Sequence, residues 1–273
     1  MKDNSYSQIP IKNEKEIGFM QKRPKSSQSA DTFFHFVDKF KYLNQIIFDK
    51  RFYARYSEED FEFFDININR ALVAMKCFCD IPLHRVKEHK DEYGSFCIGM
   101  TKEWGLKVGL QPVFYFNSNS DYPKIVKNAF FAAINYEENE SLINMTEILN
   151  YNLKFQKAVY GNDRKTKKNK NFTDEKEWRY VPNLSDDLDI SEVVINEAVL
   201  NNDILKESYN NILKENGYFL NFSYDDIKYI FVDTNSQRKT LIRKIKKLKD
   251  ETEDTKNKLI TRICVWEEME EDF

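Results

Sequence analysis

Apolar positions recur along the chain in two periods. Thr32-Phe33-Phe34-His35-Phe36-Val37 is a short aromatic and β-branched run, which reads as a first strand. Phe40, Leu43, Ile46 and Ile47 follow at helical spacing, with Asp38 as the candidate N-cap. Phe52 to Tyr56 leaves that helix as a short strand, and Ser57-Glu58-Glu59-Asp60 reads as solvated loop or a helix start. Ala71 to Phe78 is apolar except at Lys76, the pattern of a buried strand. Asp80 and Pro82 suit the cap and first turn of a mostly polar helix over Leu83 to Glu92, which Gly94 ends by allowing positive φ. Phe96 to Met100 is the next strand. Thr101 starts a short helix ending at Gly105 or Gly109, and Pro112 to Phe116 is a further strand.

The helical period then dominates from Ile125 to Tyr160, through Ile143, Ile148, Leu149, Leu153 and Phe155. Glu177 to Val181 reads as a strand closed by Pro182, and Tyr218 to Phe222 and Ile227 to Val232 as two more. Gln237 to Lys249 is a basic amphipathic helix, and Leu259 to Trp266 a final strand, so that 227–266 forms a strand-helix-strand unit at a sheet edge. Residues 1–30 are polar and aperiodic, an expected flexible N-terminal arm. No internal repeat and no linker interrupts the remainder, so 31–273 is expected to be a single α+β domain with many short strands.

Composition narrows the function classes. The chain of 273 residues is 41% hydrophobic and 15% aromatic, enough for a large packed core. Its net charge of -3 comes from nearly balanced signs, which does not mark the whole surface for nucleic acid, although a local basic patch keeps nucleic acid open as a target. MKDNSYSQIP lacks a signal-peptide core, and no run approaches the ~18 apolar residues of a membrane span. The expectation is a cytoplasmic protein without a membrane partner, its cysteines Cys77, Cys79, Cys97 and Cys264 being reduced thiols.

Distinctive chemistry concentrates in two islands. Met75 to Trp104 holds three of the four cysteines and two of the three histidines. The spacing of Cys77, Cys79, His84, His89 and Cys97 is poor for zinc, because His84 and His89 diverge around a helix and no second cysteine pair exists, so no metal is expected. The second island, DEKEWRYVP from Asp174 to Pro182, carries Glu175 and Glu177, which would share a face if both lay on a strand. Paired carboxylates can transfer protons or stabilise a cation; alternatively Glu177 and Arg179 form a same-face ion pair. His35, within an aromatic strand, is either a hydrogen-bonded core residue or a neutral donor to a ligand hydroxyl. Tyr93 either stacks on a flat ligand or covers core. The Gly161 to Asn171 loop, with Arg164 and Lys165 to Lys170, is a solvated run placed to border the second island. Neither GxxxxGK[ST], GxGxxG nor GxSxG occurs, which removes the commonest nucleotide-binding and hydrolase classes.

Phe34-His35-Phe36, Met75-Lys76-Cys77-Phe78-Cys79-Asp80-Ile81-Pro82-Leu83, Tyr93-Gly94, Ile98-Gly99, Lys102-Glu103-Trp104 and Glu177-Trp178-Arg179, in this order, resemble the AbiGi-type abortive-infection (phage-resistance) proteins over roughly residues 32–266. The resemblance implies the antitoxin-like half of a two-gene phage-defence system. The order His35, Tyr93, Glu177 is also similar to the H-Y-E pattern of ADP-ribosyltransferases, with Tyr53, Tyr56 and Tyr115 as other candidates for the tyrosine. That resemblance implies a split, mostly antiparallel sheet with flanking helices gripping NAD as substrate. His35, Tyr93 and Arg179 would then lie around NAD, Glu177 would stabilise the ribose cation, and Glu175 would be the second acid. Two expectations follow: an NAD-dependent ADP-ribosyltransferase or NAD-cleaving effector, or a non-catalytic partner that neutralises a co-encoded toxin or senses a phage component. The second would use exposed charged segments, notably residues 238–249 and the acidic tail Glu267 to Asp272.

Overall fold

The computed structural model describes residues 30–135, 148–162, 168–185 and 187–269. The N-terminal arm except its last residue, the centre of the basic loop and the end of the acidic tail lie outside the described residues.

Thr32–Val37 lies in the interior of a nine-stranded sheet. In spatial order the main path runs Ile263–Val265, Ile227–Val232, Phe96–Thr101, Thr32–Val37, Arg70–Cys79, Glu177–Tyr180 and Gln111–Pro112. Arg55–Asp60 and Val193–Val194 pair with the first half of Arg70–Cys79. Every pair in this sheet is antiparallel except Ile227–Val232 with Ile263–Val265. Three two-stranded sheets complete the architecture, so the chain is α+β, as its pattern implies, and its pairing is mostly antiparallel. Thr32–Val37 and Arg70–Cys79 are in register at one pair, Phe34 with Cys79, and the sheet opens beside it.

Strand parity decides which side chains meet. Neighbours in register share a face, and successive residues alternate. Phe34, Cys79 and Glu177 align across three strands on one face, with Cys77 and Arg179 in the adjacent row. On the opposite face Phe33 meets Trp178 at 5.0 Å, and His35 meets Phe52 and Phe78, each at 5.5 Å. That face carries the main core, with Leu43 and Ile47 from the Phe40–Asp49 helix and Leu241 and Ile245 from Asn235–Lys246. The first face packs Phe34, Phe36, Cys97 and Phe231 against Val86 of the Val86–Tyr93 helix and against Trp266. Gly94 closes that helix at φ 119°, and a Cβ there would sit 2.6 Å from the Val37 carbonyl oxygen, so the approach requires glycine.

Several local expectations are corrected. Lys39, not Asp38, is the N-cap of the first helix, and it makes no side-chain cap bond. Ser57 to Asp60 is strand, because pairing along Arg70–Met75 supplies backbone partners that local composition does not announce. Asp80 does not cap a helix; it forms a buried ion pair with Lys102, and Leu83–Arg85 is a separate 3-10 turn. Of the helix expected over Ile125 to Tyr160, Tyr122–Asn135 and residues 148–153 are helical, residues 136–147 with Ile143 lie outside the described residues, and Gln156–Ala158 and Tyr160–Asn162 are strands. Leu259 to Thr261 ends the helix Glu253–Thr261, leaving only Ile263–Val265 as strand, although 227–266 is the sheet-edge unit expected. The Asp203–Glu215 helix had no sequence expectation.

Candidate functional site

The site begins with a reversal of the chain. The Asn171 side-chain oxygen accepts from the Thr173 amide at 3.1 Å and starts the 3-10 turn Phe172–Glu175. Lys176 adopts the left-handed conformation at φ 41°, and Glu177 then begins its strand. Glu175 and Glu177 therefore come together through a turn, not through strand alternation.

Both carboxylates are buried, Glu175 at 4% exposure and Glu177 at 6%, beside Arg179 at 0%. Arg179 donates to Glu177 through Nε at 2.8 Å and Nη2 at 3.2 Å. Its Nη2 also lies 3.0 Å from Glu59, and its Nη1 donates to the Lys154 carbonyl at 2.7 Å. Lys157 bridges the two acids, 2.7 Å from Glu175 and 3.0 Å from Glu177. Lys170 reaches Glu175 at 2.7 Å and the Tyr93 hydroxyl at 2.7 Å, and pairs with Glu92. Tyr93 donates its hydroxyl to Glu175, and the Glu177 amide donates to the Tyr115 hydroxyl at 2.9 Å. Arg179, Lys157 and Lys170 thus face Glu59, Glu92, Glu175 and Glu177 in one network.

The electrostatics follow from burial and from these partners. Burial alone would push the Glu177 carboxyl up, but Arg179 and Lys157 outweigh it and hold it well below the usual carboxylate range. Glu175 is likewise lowered: burial and Glu177 push it up, and Lys157 and Lys170 prevail. Burial would depress Lys157, yet Glu177, Glu59 and Glu175 raise it. The Tyr93 hydroxyl is raised by burial and by the charge of Glu175, so it remains a donor. The two acids are therefore ionised at neutral pH and saturated with donors. For Glu177 to face a developing cation, Lys157 or Arg179 would first have to move.

Of the candidate residues, Tyr93, Glu175, Glu177 and Arg179 meet. His35 does not join them: it lies on the other face, where its Nδ1 donates to the Cys77 carbonyl at 2.9 Å. Burial holds its imidazole well below the usual range and hence neutral. Sequence reasoning missed Lys157, hidden in the overlong helix, and Glu59, read as loop; it placed Lys170 in a solvated run. All four cysteines lie on the Glu177 face, where burial pushes the thiols up. Among the described residues no group of three or more His, Cys, Asp or Glu side chains could hold a metal ion. A cavity of about 1200 Å³ is lined by Phe61, Phe130, Leu153, Lys154 and Leu184, and neither Glu175 nor Glu177 lines it. Among the described residues no helix is long and apolar enough to cross a membrane.

Comparison with known proteins defines the class as abortive phage resistance. The family described as "Putative abortive phage resistance protein AbiGi, antitoxin" matches residues 50–233, a span that holds every charged member of the Glu177 network. The "Abortive phage resistance protein AbiGi" of Lactococcus lactis subsp. cremoris is 33% identical over 252 residues, covering 81% of this chain and 99% of that protein. The chain belongs to the AbiGi family. No solved structure matches it.

Proposed function

We propose that the chain acts in abortive phage defence as a binding partner that restrains a co-encoded toxin. The observation that carries this reading is the saturation of Glu177 and Glu175: buried cations occupy the carboxylate oxygens that catalysis would need free. Such a network fixes strand and turn positions and leaves recognition to the surface. The antitoxin description of the family supports the same reading. Co-expression with the neighbouring gene's product tests it. A stable complex is expected, retained by a Glu177→Gln protein whose circular dichroism matches the wild type. Failure of the wild type to co-purify would count against it.

A second reading has one specific observation in its favour: Tyr93 from a helix and Glu175 from a turn converge on Glu177 and Arg179 of one strand. In it the family member cleaves NAD or transfers its ADP-ribose once a trigger displaces Lys157. Nicotinamide release by the wild type, lost in folded Glu177→Gln, would establish it over the first.

A further inference from the structure

The search beyond the Glu177 network leads to the Asn235–Lys246 helix and the turn after it. From Thr234 to Lys249 the sequence contains Arg238, Lys239, Arg243, Lys244, Lys246, Lys247 and Lys249 and no acidic residue, in a chain whose net charge is -3. The positive charge is therefore local, on an otherwise acidic molecule. Leu241 and Ile245 are buried, which fixes the rotation of the helix. At ~100° per residue the outward face carries Ser236, Lys239, Thr240, Arg243, Lys246 and Lys247. Lys239, Arg243, Lys246 and Lys247 are exposed, and among the described residues none is paired with a carboxylate. Arg238, by contrast, turns aside to Glu268 at 2.8 Å, and Lys244 to the Asn44 side-chain oxygen at 2.9 Å.

We infer that this face is a binding site for a nucleic-acid phosphate backbone. Lys239, Arg243 and Lys247 follow one another every four residues, ~6 Å apart along the helix at a rise of ~1.5 Å per residue, so several can engage phosphates of one strand at once. The interleaved Ser236 hydroxyl is a group that also donates to phosphate oxygens, whereas the Thr240 hydroxyl donates to the Ser236 carbonyl at 3.0 Å. The exposed face contains no apolar side chain. A stable protein interface wants an apolar centre, and a membrane-inserting helix wants an apolar face; a phosphate backbone needs neither, and an anionic vesicle surface, which charge alone can attract, is the control below. Cations in the last turn do complement the helix dipole, but Lys239 lies too far from the C-terminus for that role. The contacts are to backbone, so binding is sequence-tolerant. The inference is independent of toxin binding.

Fluorescence anisotropy of the full chain with short labelled duplex DNA, single-stranded DNA and RNA tests it, with phosphatidylserine-containing vesicles in parallel. Four phosphate contacts give a log–log salt slope of about -3 to -4, a loss on the order of a hundredfold between about 50 and 200 mM salt. The Lys239→Gln/Arg243→Gln/Lys247→Gln protein, altered only at exposed positions, should lose at least tenfold in affinity and reduce the slope by about 3. Whichever nucleic acid binds best identifies the backbone. Absence of binding to all three at low salt, undiminished binding by the folded triple variant, or binding to vesicles alone would overturn the inference. Retention of the toxin complex by the triple variant would separate this surface from the proposed function.

Discussion

Arg179→Met is the sharpest probe of the buried network. The arginine is fully buried and makes four polar contacts, to Glu177 at 2.8 and 3.2 Å, to Glu59 at 3.0 Å and to the Lys154 carbonyl at 2.7 Å. Methionine keeps much of the volume and none of the donors. The Glu177 carboxylate would retain Lys157 and the Cys77 thiol, and Glu59 would lose its guanidinium. Removing one partner of a buried ion pair typically costs ~3–5 kcal/mol, a large part of the ~5–15 kcal/mol that holds a domain folded. Urea unfolding followed by tryptophan fluorescence suits the measurement, since Trp178 lies between Glu177 and Arg179 and packs on Phe33 at 5.0 Å. The midpoint should fall with little change in slope. Glu177 is depressed in the native protein, so its contribution is present above the unfolded carboxylate value of ~4.3 and is lost as pH falls through its native value. In the variant Glu177 rises and takes up a proton readily, so the gap to wild type should narrow below about pH 5. A cost under about 1 kcal/mol at neutral pH, or a gap that widens on acidification, would refute the reasoning.

Other consequences can be checked alongside. Lys157→Met frees both acids at once and should cost about 3 kcal/mol by the same denaturation assay, with Glu175→Gln restoring part of it in the double variant. Gly94→Ala places a Cβ against the Val37 carbonyl at positive φ and should lower stability by about 2 kcal/mol or more, read as a drop in melting temperature. His89 is buried and, despite Glu175 and Glu92, is held below the usual imidazole value, so the unfolded chain binds the proton more tightly. The wild type should lose stability as pH falls below ~6.5, and His89→Leu should lose less over the same interval in melting curves against pH.

The strands that position the network were legible where one residue period ran uninterrupted. Thr32–Val37 is dense in aromatic and β-branched residues, Arg70–Cys79 and Phe96–Thr101 are mostly apolar runs, and each forms where the pattern puts it. The meeting of Tyr93 with Glu175 and Glu177 was implied only by the resemblance to ADP-ribosyltransferases, and the two acids come together through the Phe172–Glu175 turn and left-handed Lys176 rather than through the strand alternation expected. What sequence could not supply were partners chosen by tertiary pairing. Gln156–Ala158 shows no strand signature, and Lys157 reads as one more helical surface cation until Phe114–Phe116 pairs beside it. Glu59 likewise looks solvated until Arg55–Asp60 joins the sheet. His35 was misplaced by order alone: three residues in sequence do not reveal strand parity, and parity puts His35 and Glu177 on opposite faces.

The register of Arg70–Cys79 also sets when the protein can exist. This strand draws partners from Thr32–Val37, Arg55–Asp60, Glu177–Tyr180 and Val193–Val194, and the sheet edge is supplied by Ile263–Val265. Glu59 and Arg179 are 120 positions apart. At ~5–20 residues per second of synthesis, Glu59 is made roughly 6–24 s before its guanidinium partner. Until then the apolar run Ala71 to Phe78 has only one of its flanks available and no ionic network to close over it. A prematurely terminated chain thus leaves one flank of this strand unpaired and open to proteases, and any binding competence that depends on the finished sheet arrives late in translation and all at once.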